Sequence, residues 1–298
     1  MQKEKILIVG KNGQLGSALM NLTKEKTCEL GDIPKYLENF EIKGFSSKEL
    51  DITKKEEVIK IIKKEQPKAV VNCAAYTNVD GCEDDVDTAF LVNALGPRNL
   101  AIAAEEVKAK LIHISTDYVF DGEEEKKRVE FDLINPKSIY GKSKALGEEY
   151  VKNFCSRFFI LRTAWLYGEN GNNFVKTIVK VAREKGELKV VDDQIGSPTN
   201  VLDLSFVILK LLETEEYGIY HCSGNKQCSW YDFAVLIVKH FGVDARVFPC
   251  STEEFKRKAK RPKFSVLENL MLKLTIGDYF RDWEDALISF AKKNKNIF

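Results

Sequence analysis

Apolar runs and amphipathic stretches alternate along the first half of the chain. Runs rich in Ile, Leu, Val, Phe and Ala, each about as long as a buried strand, occupy residues 5–9, 41–45, 68–76, 109–115 and 158–163. Stretches with apolar residues at helical spacing lie between most of them, and residues 23–41 are expected to form a loop or a short extra helix. Strands that alternate with helices are typical of a parallel sheet covered on both faces. The pattern therefore predicts an α/β fold.

The pattern is looser beyond residue 165. Expected helices and strands there lie at residues 174–183, 188–191, 200–213, 218–222 and 282–293, with a further helix capped by Ser229. We predict a Rossmann-type doubly wound parallel sheet that forms an NAD(P)-binding domain over residues 1–165. A smaller α/β C-terminal substrate domain is expected over residues 166–298, with some segments returning to the first domain. No repeat or low-complexity linker separates the halves, so they should pack together.

Three helix features are predicted from local residue types. Thr53 and Glu56 have the spacing of a capping box at the start of a helix. Asn135 and Pro136 are expected at the N-cap and the first helical position of a later helix. Pro97 should kink the Ala-rich helix expected over residues 84–107.

Gly10, Gly13 and Gly16 link the first strand to the first helix. This spacing is typical of a dinucleotide site, because glycines permit a tight turn and let the backbone approach a pyrophosphate at the helix N-terminus. The alternative is a glycine-rich turn that only joins a strand to a helix. The position in the first strand–helix unit of the chain favours nucleotide binding.

Further cofactor contacts are expected where the next strands end. Ser46 follows the second strand, and the first acidic residue there is Glu49, which favours NADPH or the use of both cofactors, because an early acid would repel a 2′-phosphate. Asp51 either hydrogen-bonds adenine or only initiates a turn. The complete set of expected cofactor-binding residues is Gly10, Asn12, Gly13, Gln14, Leu15, Gly16, Ser46, Asp51, Ile52, Cys73, Ala74, Ala75, Tyr76, Asn93, Ser115, Tyr140 and Lys144.

Composition and charge are those of an ordinary globular chain. Of the 298 residues, 44% are apolar and 31% charged, and the formal net charge is +1. No field of one sign argues for nucleic acid or an anionic membrane as a partner. The apolar runs are too short to span a bilayer, and the N-terminus has no signal-peptide core. Seven cysteines without Cys-x-x-Cys spacing and three histidines favour reduced cytoplasmic thiols and argue against a metal centre.

Tyr140 and Lys144 are four residues apart on a predicted helix, so they share one face. At about 4–5 Å, an ammonium would favour the phenolate by roughly 3–4 kcal/mol at an effective dielectric near 20. The pair is therefore expected to lower the phenol pKa and to let Tyr140 exchange a proton near neutral pH. Tyr-x-x-x-Lys also occurs by chance on many helices, so this reading depends on the neighbouring motifs.

The strand at residues 109–115 ends in Ser115 and Thr116. Hydroxyl groups at the carboxyl end of a parallel strand face the crevice in which open α/β sheets bind ligands. His113, within the strand, is expected to be a packed core histidine.

These motifs together resemble the extended short-chain dehydrogenase/reductases over nearly the whole chain, and within them the dTDP-4-dehydrorhamnose reductases. The segments that carry the resemblance are residues 10–16, 72–80, 115–122, 140–144, 162–165, 171–174, 196–199, 261–262 and 265–267.

The resemblance implies a role for each of several residues. Tyr140 would be the proton donor, Lys144 would bind the nicotinamide ribose and tune Tyr140, and Thr116 would hydrogen-bond the reacting oxygen. Substrate-binding residues would be Thr116, Asp117, Tyr118, Trp165 and Arg261, with Arg261 on the nucleotide diphosphate. For Trp165 the alternative is a core aromatic, and for Arg261 a surface residue.

The resemblance also implies the reaction and the partners. NADPH, or NADH, would reduce the 4-keto group of dTDP-4-dehydro-L-rhamnose to dTDP-L-rhamnose, a step of dTDP-rhamnose and polysaccharide biosynthesis. A homodimer would be compatible with it. Some members use Mg²⁺ at a subunit contact, but no residue of this sequence is assigned to a metal.

Two other kinds of function stay open. The chain could be another nucleotide-sugar 4-ketoreductase or an epimerase, whereas Tyr118, in place of the glutamate of related dehydratases, argues against dehydration. It could also be a non-catalytic NADP-binding regulatory subunit similar to the methionine adenosyltransferase β subunit. Thr116, Tyr140 and Lys144 together favour an enzyme.

Overall fold

A six-stranded parallel sheet forms the centre of the computed structural model, which describes residues 3–295. Its strands, with two others that pair outside it, are β1 (Glu4–Val9), β2 (Phe40–Phe45), β3 (Ala69–Asn72), β4 (Lys110–Thr116), β5 (Phe158–Thr163), β6 (Glu187–Val191), β7 (Gly218–His221) and β8 (Arg246–Cys250). The order across the sheet is β7-β5-β4-β3-β1-β2, and every neighbouring pair is parallel. The predicted α/β, Rossmann-type sheet is confirmed.

Eleven α-helices lie within residues 3–295. They are α1 (Gln14–Leu22), α2 (Lys55–Glu65), α3 (Val79–Asp84), α4 (Val86–Phe90), α5 (Gly96–Glu106), α6 (Ile139–Phe154), α7 (Phe174–Lys185), α8 (Val201–Leu211), α9 (Trp230–Phe241), α10 (Leu270–Thr275) and α11 (Trp283–Asn294). Turns of 3₁₀-helix cover Lys35–Asn39 and Asp117–Val119, and a π-turn covers Leu91–Leu95. Three pairs of two-residue strands complete the regular structure: Thr27–Cys28 with Gly31–Asp32, Leu166–Tyr167 with Thr199–Asn200, and Ile195–Gly196 with Cys228–Ser229.

Two apolar cores cover the two faces of the sheet because successive strand residues point to opposite sides. On one side Ile8 packs with Leu19 of α1 and Leu204 of α8. On the other side Leu7 packs with Val58 of α2 and Leu100 of α5. The chain thus covers both faces, as a doubly wound sheet requires.

The carboxyl ends of β1 and β3 form the point at which the strand order reverses, where open α/β sheets bind ligands. Gly10 turns the chain there with φ +85°. A Cβ on Gly16 would lie 2.2 Å from the Gly10 carbonyl oxygen, so only glycine lets α1 approach this turn.

Residues beyond 165 contribute to both halves of the fold. A third apolar core joins α7, α9 and α11 through residues such as Val175, Phe233 and Leu287. In contrast, β7 pairs with β5 at the edge of the main sheet, and α8 packs on α1. A boundary near residue 165 stays a prediction; residues 296–298 of the second unit lie outside the described part.

Two of the predicted helix ends are wrong. Helix α2 begins after Lys54 without a side-chain cap, because Thr53 donates from its N–H and its hydroxyl to Asp51 Oδ1. Helix α6 begins after Ser138 rather than Asn135, and the Ser138 hydroxyl accepts a hydrogen bond from the Gly141 N–H.

The other two local predictions are supported. The long helix expected around Pro97 is broken by the π-turn directly before Gly96, where proline removes a backbone donor. Ser229 and Asp232 form a reciprocal capping box at α9.

Candidate active site

A cavity of about 300 Å³ opens at the carboxyl ends of β1 and β3. Most of the predicted cofactor-binding residues line it: Gly10, Asn12, Gly13, Ser46, Asp51, Ile52, Cys73, Ala74 and Ala75. Residues that were not expected to bind the cofactor also line it: Val9, Ser47, Leu50, Thr53 and Val92. Their apolar or small side chains carry no separate signal, since their position depends on the strand ends.

The structure places other predicted cofactor residues away from this cavity. Leu15 is a residue of α1 whose side chain belongs to the apolar core. Gln14 Oε1 accepts a hydrogen bond from the Asn173 side chain. Asn93 is fully buried, where its amide bonds both the N–H and the carbonyl of Tyr76. Ser115 donates to Glu148. These side chains position the backbone around the cavity, and their contact with a cofactor stays a prediction.

Glu49 follows β2 and binds Ser46, a residue that lines the cavity. Its Oε2 accepts hydrogen bonds from the Ser46 N–H and hydroxyl, both at 2.7 Å. Lys11 lies 2.7 Å from the same carboxylate. The hydrogen bonds from Lys11 and Ser46 lower the pKa of Glu49 to about 2, so it is ionised. Glu49, three residues after Ser46, therefore places a negative charge beside it.

Asp51 lies at the same cavity and shapes its wall. Its Oδ1 accepts two hydrogen bonds from Thr53, at 3.0 Å from the N–H and at 2.7 Å from the hydroxyl. This arrangement supports the turn alternative for Asp51; an adenine contact stays a prediction.

Helix α6 carries Tyr140 and Lys144 on the side that faces β4. Its N-terminus is held by the Ser138 cap and by Glu83, which accepts a hydrogen bond from the Ile139 N–H at 2.8 Å. Lys144 is 2% exposed, and its Nζ donates to the Ile114 carbonyl oxygen at 2.5 Å. The side chain therefore reaches across to the strand that ends in Thr116.

The pKa values in this pair differ from the expectation. Desolvation raises the pKa of Tyr140, and hydrogen bonding with Thr116 only partly opposes it. Desolvation also lowers the pKa of Lys144 to about 8, against the attraction of Glu148. The expectation that Lys144 lowers the phenol pKa is therefore wrong. Burial decides the direction of the pKa shift for both groups.

Thr116 and Asp117 form a buried polar pair beside Tyr140. The Thr116 hydroxyl donates to Asp117 Oδ1 at 2.9 Å and accepts from the Tyr118 N–H at 3.2 Å. Burial raises the pKa of Asp117 to about 6, and its Oδ2 has no hydrogen-bond partner. The Tyr118 ring meets the Tyr140 ring edge-on at 5.5 Å. Four predicted site residues are thus brought together.

A second and larger cavity, of about 880 Å³, lies beside this group. Tyr118 and Arg261, two of the expected substrate-binding residues, line it, and so do Phe174, Trp230 and Arg257, which were not among them. Trp165 is stacked on Trp230, with ring centroids 3.4 Å apart. No sequence signal marked Trp230, because its place depends on how α9 packs.

His113 is fully buried in β4, and its Nδ1 lies 3.2 Å from the Asn72 amide nitrogen. The core interpretation of His113 is confirmed.

Within residues 3–295, no group of three or more His, Cys, Asp or Glu side chains is placed to hold a metal ion. Mg²⁺ therefore gains no support from this part of the chain. The helices of the same residues are too short or too polar to cross a bilayer.

Comparison with known proteins agrees with this geometry. The family described as "RmlD substrate binding domain" matches residues 4–296. A dTDP-4-dehydrorhamnose reductase from Aggregatibacter actinomycetemcomitans is 40% identical, and the match covers 95% of this chain and 97% of the relative. The crystal structure of a dTDP-4-dehydrorhamnose reductase from Clostridium acetobutylicum is 48% identical, with a TM-score of 0.91 and coverage of 97% and 99%.

The crystal structure of the dTDP-4-dehydrorhamnose reductase from Bacillus anthracis, in complex with NADP, is 43% identical. Its TM-score is 0.91, and the match covers 98% of this chain and 100% of that one. The chain therefore belongs to the RmlD family of dTDP-4-dehydrorhamnose reductases, a family of oxidoreductases.

Proposed function

We propose that this chain uses NADPH to reduce the 4-keto group of dTDP-4-dehydro-L-rhamnose, giving dTDP-L-rhamnose. The observation that carries the proposal is the hydroxyl pair of Thr116 and Tyr140, whose neighbour Tyr118 lines the larger of the two cavities. One cavity has small residues at the strand ends, and the other has aromatic rings with two arginines. The identity of the sugar is inferred from the names of the relatives given above, and that of the cofactor from the NADP complex of one of them.

The smaller cavity fits a dinucleotide. Gly10, Gly13, Ala74 and Ala75 leave the space that larger side chains would fill. The first turn of α1 has no side-chain cap and no acidic residue, so its N–H groups suit a pyrophosphate. NADPH bound there would supply the hydride. Family membership favours NADPH as the cofactor. The negative charge of Glu49, beside Ser46, is the feature that would weaken the binding of NADPH.

Tyr140 would deliver the proton to the 4-keto oxygen as negative charge grows there. The Thr116 hydroxyl would donate a second hydrogen bond to the same oxygen, which stabilises the developing charge. A phenol with a raised pKa is fully protonated at neutral pH and ready to act as an acid. Lys144, whose pKa is about 8, is mostly charged at that pH and would bind the nicotinamide ribose.

The larger cavity would hold the nucleotide sugar. Arg257 and Arg261 supply positive charge for the diphosphate. Trp230 and Phe174 offer flat apolar surfaces, and Tyr118 joins this cavity to Tyr140. In this proposal the substrate domain comprises residues 166–298, with contributions to the Rossmann domain of residues 1–165. We place the enzyme in the cytoplasm, in line with its seven free cysteines.

The test is NADPH oxidation with dTDP-4-dehydro-L-rhamnose generated in situ, comparing wild type with Tyr140→Phe. We expect turnover by wild type and a loss of about a hundredfold or more in kcat for the variant. NADPH binding, followed by fluorescence, should be nearly unchanged. Tyr150→Phe, on the same helix, is the matched control.

The outcomes separate the alternatives. Near-normal turnover by Tyr140→Phe would show that Tyr140 is not the acid. Turnover of a different 4-keto nucleotide sugar only would favour another ketoreductase, and inversion without net NADPH oxidation would favour an epimerase. NADPH binding without turnover of any keto sugar would favour the regulatory-subunit alternative.

A further inference from the structure

Beneath the catalytic residues lies a buried ionic cluster, which we call the Glu148 cluster and define as Ser115, Glu148 and Arg162. Glu148 is 1% exposed and Arg162 2%. Glu148 Oε1 accepts hydrogen bonds from the Ser115 hydroxyl at 2.5 Å and from Arg162 Nε at 2.9 Å. Its Oε2 accepts from Arg162 Nη2 at 2.7 Å. One carboxylate thus joins three elements: α6, β4 and β5.

The cluster sits directly behind the catalytic positions. Glu148 lies four residues after Lys144, one helical turn further along the same buried face of α6. Ser115 precedes Thr116 on β4, and Ser115 and Arg162 are direct partners in the strand register. Any slide or rotation of α6 against β4 would break these bonds and would also move Tyr140 and Lys144 relative to Thr116.

Few charged or titratable groups reach Lys144. Glu148 attracts it from its own helix, and Arg162 of β5 neutralises part of that charge. His113 of β4 acts on the same region, but burial and the nearby Lys144 keep this histidine neutral. Tyr140 stands one turn before Lys144 and is also uncharged at neutral pH. Glu148 is therefore the one anion among the described groups that faces this ammonium.

We propose that Glu148 is a positioning residue, which fixes α6 against β4 and β5 and places its carboxylate one helical turn from the Lys144 side chain. This inference rests on the roles proposed above for Tyr140 and Lys144. Arg162 has a defined part in this arrangement, because its two hydrogen bonds fix the orientation of the buried Glu148 carboxylate.

The test compares Glu148→Gln with Glu149→Gln, the same chemical change at the next, exposed residue of α6. The pKa of Lys144 is measured from ¹³C NMR of labelled lysine side chains in the cofactor-free protein, with Lys144→Met to assign the signal. Loss of the carboxylate charge destabilises the nearby ammonium, so Glu148→Gln should lower the Lys144 pKa by about one pH unit. Glu149→Gln should leave it unchanged.

A folded Glu148→Gln protein whose Lys144 pKa equals that of wild type would overturn the proposal. Should this variant fail to fold, the double variant Glu148→Gln with Arg162→Gln leaves no unpaired buried charge. Its Lys144 pKa should still fall below that of wild type, because Glu148 raises the Lys144 pKa whereas Arg162 is not among the groups that shift it. An unchanged or raised pKa in the double variant would also contradict the proposal.

A kinetic measurement separates positioning from substrate binding. For Glu148→Gln we expect kcat to fall by about tenfold or more while KM for the nucleotide sugar changes little. Glu148→Asp, which keeps the charge but is shorter, should restore the Lys144 pKa while kcat stays low. The NMR result needs no substrate, so a wrong assignment of the sugar would abolish turnover in every protein without changing the pKa comparison.

Discussion

Arg261 meets Asp80 in a two-point ion pair, with Nη1 2.9 Å from Oδ1 and Nη2 3.0 Å from Oδ2. Asp80 belongs to α3, whereas Arg261 follows β8 at the rim of the larger cavity. Asp80 also accepts a hydrogen bond from the Ala259 N–H at 3.1 Å. The pair fastens the segment before Pro262 to α3, and it holds the guanidinium in a fixed orientation toward the cavity.

The first prediction concerns this arginine. Arg261→Ala should raise KM for the nucleotide sugar by about tenfold or more, because it removes both the proposed diphosphate contact and the anchor of the segment. The effect on kcat should be smaller, since the residue is not beside the reacting oxygen. Steady-state kinetics with varied sugar at saturating NADPH measures both constants.

Arg157→Ala is the control for Arg261→Ala. Arg157 is an exposed arginine at the opposite end of the sheet, bonded to the Lys108 carbonyl. We expect it to leave KM unchanged. Equal KM values for the two variants would remove Arg261 from the substrate site.

The second prediction separates two glycines of the first turn. A Cβ on Gly13 would lie 3.4 Å from the nearest atom, whereas one on Gly16 would lie 2.2 Å from the Gly10 carbonyl oxygen. Gly13→Val should therefore fold, but its side chain would enter the cavity and abolish NADPH binding. Gly16→Val should lower the free energy of unfolding by about 1–3 kcal/mol. Fluorescence titration and urea denaturation measure the two effects, and normal NADPH affinity of Gly13→Val would refute the dinucleotide site.

The third prediction concerns cofactor choice. Glu49→Gln removes the negative charge that pairs with Lys11 and Ser46. Both groups then become free for a 2′-phosphate, so the ratio of kcat/KM for NADPH to that for NADH should rise by about threefold to fivefold. Glu56→Gln, an exposed change on α2, should not alter the ratio. A fall in the ratio would mean that Glu49 does not face the 2′ position.

The fourth prediction concerns stability and pH. Burial raises the pKa of Asp117 from 3.8 to about 6. Between these values the folded state binds more protons than the unfolded state, so the contribution of Asp117 to stability falls as the pH rises through this window. Asp117→Asn cannot ionise and should be more stable than wild type by about 3 kcal/mol above pH 6, with the gain lost below about pH 4.

Urea denaturation across this pH range measures the effect of Asp117→Asn. Asp132→Asn is the contrasting variant, because the hydrogen bond from the Val129 N–H lowers the pKa of Asp132. Replacing the Asp132 carboxylate by an amide should therefore not stabilise the protein at any pH. If the difference in free energy of unfolding between wild type and Asp117→Asn does not vary with pH, the pKa of Asp117 is not raised by folding.

Much of the fold follows from short-range patterns in the sequence. Alternating apolar runs indicate β1 to β5, and the glycines after β1 indicate the turn that forms the smaller cavity. The residues at the strand ends, including Ala74 and Thr116, could be assigned to one edge because parallel strands end together.

Other parts of the site depend on contacts between distant segments. The Asp80–Arg261 pair joins residues 181 positions apart, and Trp230 reaches Trp165 only through the packing of α9. The pKa of Tyr140 depends on how deeply its phenol is desolvated, which helical spacing does not reveal. The same is true of Glu148, whose buried partner Arg162 is on another element.

The pairing of β7 with β5 limits how a chain of this fold can be divided. A fragment that ended after β5 would leave one edge of that strand unpaired, although β4 would still pair with the other edge, and would uncover the face that α8 protects. The chain must be synthesised beyond residue 221 before the sheet can be completed. The strands that are made first therefore cannot finish assembling until β7 is present. A shortened protein that keeps the sheet complete therefore has to extend through β7.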